Sequence, residues 1–81
     1  MNREEITSAM SPIFHRVFNN NEIIITDDLN AEKVDQWDSL THLNMIAEVE
    51  KHFEIKFKLK ELIGMKNVGD MIDLILQKKG A

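Results

Sequence analysis

Hydrophobic positions along the chain change period several times, and each change marks an element. Ile6, Met10, Ile13, Phe14 and Val17 follow the i, i+4, i+7, i+8, i+11 spacing of one helical face. This predicts a first helix from Arg3 to Phe18. Pro12 interrupts it, because an internal proline removes a hydrogen bond and crowds the preceding turn. A bend, or a start only near Ser11, is therefore expected. Asn19, Asn20 and Asn21 close the segment, since asparagine tolerates the left-handed conformation of a helix end. From there to Trp37 no helical period appears, and loops of this length in small domains are usually functional. Ile23-Ile24-Ile25 and the alternating Ile55-Lys56-Phe57-Lys58-Leu59 have the look of strands. Two such short strands would be marginal by themselves, so the preferred reading makes them loop residues that plug a helical core, with their pairing as the alternative.

Helical period returns at Asp38, whose carboxylate can accept from the free N–H groups of a first turn. A second helix follows from Ser39 to about Phe53. A short third helix is expected around Leu59–Ile63, closed by Gly64. Val68, Met71, Ile72, Ile75 and Leu76 form the stripe of a last helix. Lys78 and Lys79 lie where the helix dipole favours cations, and Gly80 is expected to stop it. The fold expected is all-α: a four-helix bundle of three main helices and one short one, with a long loop between the first two. Residues 1–81 are expected to make a single domain.

The second helix carries apolar residues on two faces. At about 100° per residue, Met45, Ile46, Val49 and Phe53 fall together with His42. Nearly opposite lie Leu40, Leu43 and Ala47, flanked by Asn44, Glu48 and Glu50. The bulkier set is assigned to the core. The other is either a docking strip with an acidic rim or the second side of a helix sandwiched between neighbours.

Composition narrows the chemistry. The chain has 81 residues and a net charge of −4, but residues 1–50 sum to −7 and residues 51–81 to +3. An acidic half of this kind repels nucleic acid and suits a partner with a basic surface. There is no cysteine, which excludes disulfides, thiolate catalysis and thiolate metal sites. His15, His42 and His52 show no paired metal-ligand spacing, and Asp27-Asp28 lacks the ligand pattern of a calcium loop. No apolar run is long enough for a membrane span, and the N-terminus does not read as a signal peptide. A cytoplasmic monomer is expected, because one small apolar strip is below the size of a permanent interface.

Ser39 stands as the first helical residue after a capping aspartate. A phosphate ester there would face the partial positive charge of the helix start. Serine and aspartate are also common at helix starts for capping alone. Trp37-Asp38-Ser39-Leu40, however, resembles the phosphopantetheine attachment motif of acyl and peptidyl carrier proteins, centred on Asp-Ser-Leu. Thr26-Asp27-Asp28-Leu29 is similar to the family's loop segment upstream of the serine. Leu43, Ile46, Val49, Glu50, Phe53, Ile55 and Phe57 are similar to its second helix and exit. Val68-Gly69-Asp70-Met71-Ile72 resembles the opening of its last helix.

The resemblance implies that Ser39 receives 4′-phosphopantetheine from coenzyme A through a Mg²⁺-dependent phosphopantetheinyl transferase, helped by Asp38. It implies that Leu40, Leu43, Ala47 and Glu50 contact partner enzymes that load and transfer acyl or aminoacyl groups. Met45, Ile46, Val49, Phe53 and Phe57 would line the core and a cavity for a cargo chain. Tethered delivery would raise the cargo's effective concentration at each docked enzyme, and the carrier itself needs no catalytic base. Trp37, Thr41, Asn44 and Lys51 depart from the pattern of fatty-acid carriers, so a specialised pathway is favoured. Alternatives are a carrier for fatty-acid synthesis and an unmodified interaction module of the same fold. A serine hydrolase is disfavoured, since no Gly-x-Ser-x-Gly elbow exists and His42 lies on the inward face of the same helix.

Overall fold

The computed structural model describes residues 1–79. Helix α1 spans Arg3–Val17, α2 Ser39–Phe53, α3 Leu59–Gly64 and α4 Val68–Lys78, with a 3₁₀ turn at Ala31–Lys33. Among the described residues there is no strand. The pairing of the two β-like segments is thus corrected. Ile23 and Phe57 are buried and Ile25 and Ile55 half-buried, while Ile24 is 76% exposed. The segments serve as plugs, each sending alternate side chains into helical packing.

Helix α1 does not wait for Ser11. Asn2 caps it, accepting from the Glu5 N–H at 2.8 Å, and the Glu5 carboxylate accepts the Asn2 N–H at 3.1 Å. This reciprocal box satisfies two otherwise free donors. Ile6, Met10, Ile13 and Phe14 are then buried along one face, with Pro12 exposed on the other. Burial of the whole stripe outweighs the single hydrogen bond lost at the proline. Asn19 ends the helix with φ 50°, in the role expected of it.

Helix α1 packs against α2 and α4. Met45, Ile46, Val49 and Phe53 of α2 meet Val68, Met71, Ile72 and Ile75 of α4 in one core with the α1 stripe. Lys78 pairs with Glu61 of α3 at 2.9 Å, and Lys79 Nζ donates to the Phe53 carbonyl at 3.0 Å. The C-terminal cations thus fasten α4 to two neighbours. The expected stop at Gly80 lies outside the described residues.

The long loop is held by backbone groups. Val68 N–H donates to the Leu29 carbonyl and Gly69 N–H to that of Asp27, both at 2.9 Å. These are free donors of the α4 N-terminus, satisfied here by the loop. His15 Nε2–H donates to the Ile23 carbonyl at 2.8 Å. Arg3 bridges Asp27 of the loop and Asp73 of α4. Leu29 and Val34 are buried beneath these ties, and the loop delivers Trp37 and Asp38 to the start of α2 from a fixed position.

Candidate functional site

The start of α2 is rigid because its cap is reciprocal. Asp38 Oδ1 accepts the Thr41 N–H at 2.9 Å, and the Asp38 N–H donates to Thr41 Oγ1 at 2.8 Å. The Thr41 hydroxyl donates to the Gln36 carbonyl at 2.9 Å, which ties the cap to the loop. The Thr41 N–H, then its hydroxyl, hold the Asp38 carboxyl below its ordinary range. Asp38 caps as expected. The part played by Thr41 went unread, although Asp-x-x-Thr is a capping-box spacing.

Ser39 follows as the first residue of α2 and is exposed. Among the described residues no hydrogen bond engages its hydroxyl. Leu40 is 69% and Leu43 63% exposed, and Ala47 one turn on is exposed too. The sandwich reading of α2 is therefore corrected: among the described residues no element covers its second face. Met45, Ile46, Val49 and Phe53 on the first face are all buried, since the two faces differ in bulk and the bulkier one fills the core.

Glu50 stands apart from the strip. It is half-buried, and its Oε2 accepts the Phe57 N–H at 2.8 Å, securing the segment between α2 and α3. On the flank, Glu48 pairs with Arg16 of α1. His52 and the Phe53 ring meet edge-on at 4.9 Å.

Trp37 and His42 form a feature that residue-by-residue reading missed. Trp37 Nε1–H donates to His42 Nδ1 at 3.0 Å, and the rings stack at 6.0 Å with 21° between their planes. The bond requires an unprotonated Nδ1. Behind this pair, Trp37 meets Phe14 at 5.7 Å and Phe18 at 4.9 Å. The only sequence signal is that residues 37 and 42 flank one turn of a capped helix start.

Two depressions adjoin the pair. An open groove runs along Ala31, Trp37, Asp38, Ser39, His42 and Leu43. A narrower pocket of about 150 Å³ lies behind it, floored by Met65, Val68 and Met71 and also bounded by Ala31, Trp37 and His42. The cavity anticipated among Met45, Ile46, Val49, Phe53 and Phe57 is not the one that borders Ser39; those five belong to the buried core.

Among solved structures, the holo acyl carrier protein from Geobacter metallireducens, determined by solution NMR, is similar to this chain with a TM-score of 0.87. The two are 44% identical, over 93% of this chain and 86% of that one. No protein-family model matches the chain, and no curated protein matches it.

Proposed function

The chain belongs to the acyl carrier protein family, and we propose that it carries an acyl or aminoacyl group as a thioester on 4′-phosphopantetheine attached to Ser39. Members of this family are carriers, not enzymes. The observation that supports Ser39 is its setting: an exposed hydroxyl, free of internal hydrogen bonds, on the first residue of a helix whose start is locked by Asp38 and Thr41. The residues present fit the group, because the open groove beside Ser39 leaves its hydroxyl reachable from outside. When bound, the group supplies the terminal thiol that a cysteine-free chain lacks, and with it an electrophilic thioester.

Each surrounding residue then has a task. The capping bonds fix where Ser39 Oγ stands when the transferase approaches. Asp38 keeps a negative charge next to it at any physiological pH, available to the transferase or its Mg²⁺. Leu40, Leu43 and Ala47 offer an apolar strip to successive partner enzymes. Glu50 adjoins that strip with a carboxylate already committed to Phe57, so its part in docking is that of a fixed charge at the edge.

We assign the carrier to a specialised pathway rather than bulk fatty-acid synthesis. Trp37 stands where a small residue is common, and Thr41, Asn44 and Lys51 make the rim of α2 less acidic than a general fatty-acid carrier needs. Thr41 is engaged in the cap, its hydroxyl accepting the Asp38 N–H, so this departure also has a local structural role.

The test is intact mass after incubation with coenzyme A, Mg²⁺ and a broad-specificity phosphopantetheinyl transferase. One added phosphopantetheine is expected on the native chain and none on Ser39→Ala. A folded native chain that gains nothing with several transferases would transfer the assignment to an unmodified interaction module.

A further inference from the structure

The groove at Ser39 and the pocket behind it have Ala31, Trp37 and His42 in common. Two side chains bounding both spaces, hydrogen-bonded to each other and stacked, form a wall between them. Trp37 is held in this position from behind by Phe14 and Phe18, both fully buried. Moving it would break the indole hydrogen bond and open the aromatic cluster together. Moving His42 alone would leave a half-buried indole N–H without its acceptor, which is costly.

The space beyond the wall is small. Its volume of about 150 Å³ compares with roughly 300–1,000 Å³ for ordinary small-molecule pockets. Met65, Val68 and Met71 give it apolar surface on which an alkyl chain would be stabilised, alongside Asn30, Lys66 and Asn67. The outer groove offers different chemistry: an indole, an imidazole and the exposed Leu43 beside Ser39. A ring or a short chain can lie on such a surface without entering the protein.

Resting on the carrier reading of Ser39, we propose that Trp37 and His42 are specificity-determining residues that act as a partition, keeping the cargo in the outer groove and out of the pocket between α2 and α4. The cargo class that follows is a short or ring-bearing acyl or aminoacyl group, displayed at the surface. A long alkyl chain would find no shelter and would leave its thioester as exposed as a short one does.

The experiment loads the full chain from acetyl-, hexanoyl- and decanoyl-coenzyme A with the transferase, then follows cleavage of each thioester by hydroxylamine using intact mass. On the native chain the three rates are expected to agree within about twofold, since no methylene is buried. Trp37→Ala opens the wall and is expected to slow cleavage of the decanoyl ester alone, by about tenfold, the effect of sheltering roughly two methylenes. Trp37→Phe keeps a ring in place and should behave as the native chain. General loss of stability would alter all three esters alike, so the length dependence isolates the partition. His42→Ala removes the other half of the wall and serves if Trp37→Ala fails to fold. Protection that grows with chain length on the native protein would overturn the proposal. So would an unsheltered decanoyl ester on a folded Trp37→Ala or His42→Ala. Failure to load Ser39 at all is a different result, seen as no added mass, and would remove the carrier reading and the partition's role together.

Discussion

Glu54 closes α2 with φ 58° and ψ 48°, the left-handed conformation. For a residue with a Cβ this geometry costs free energy that glycine escapes. Glu54→Gly is expected to raise stability by roughly 0.5–1 kcal/mol after glycine's greater unfolded-chain entropy is subtracted. The check is a urea midpoint that moves up while the slope stays constant. At the other end of the helix the single-residue features are of a different kind. Asp38 and Thr41 satisfy each other's backbone N–H groups and leave Ser39, between them, with nothing to hold. A hydroxyl that contributes nothing to the fold can be esterified without loss of structure.

Among the elements, the loop between α1 and α2 is where a small change should matter most. A Cβ on Gly69 would lie 2.9 Å from the Asp27 carbonyl oxygen and 3.0 Å from the Asp27 Cβ. The obstacle is backbone, so the loop itself must move. Movement would stretch the Gly69–Asp27 hydrogen bond and the Arg3–Asp27 ion pair. Gly69→Ala should therefore destabilise by about 1–3 kcal/mol, the usual range for overpacking a close contact, read as a lower urea midpoint. The same loop explains what the sequence made legible and what it did not. Helix α2 could be bounded closely because a cap residue and an apolar stripe coincide there, and α4 because its stripe opens at Val68, the first helical residue. The docking of the loop could not, because its anchors are the carbonyls of Ile23, Asp27 and Leu29, and every residue type has a carbonyl. Pro12 left a later start open for a related reason: local propensity allowed it, while four buried side chains on the opposite face kept the helix from Arg3. At the site, Ser39 and the exposed strip were legible from the cap and the two-faced period. The Trp37–His42 bond was hidden because it depends on how the loop presents an indole to the first turn.

For the molecule as a whole, acid should be the condition that exposes its electrostatics. Among the described residues three carboxyls are held below their ordinary range. Asp28 accepts from the Thr26 hydroxyl and faces Lys33. Asp38 accepts from Thr41. Glu61 accepts the Lys58 N–H and pairs with Lys78. A carboxyl with a lowered folded pKa binds fewer protons folded than unfolded, so its contribution is present above the unfolded value and lost as pH falls through the folded one. The contribution of these three carboxyls is expected to be intact above about pH 5 and to decline below about pH 4. Urea midpoints at successive pH values check this, and Glu61→Gln should show a shallower decline than the native chain.

The placement of Trp37 has an optical consequence. It is the chain's one tryptophan, half-buried, stacked on an imidazole and wedged against two phenylalanines, within the groove that borders Ser39. Indole emission responds to polarity and to nearby quenching groups, and here all of that emission originates beside the serine. The protein thus contains its own fluorescent reporter, able to register the approach of an enzyme or the identity of a cargo without any label.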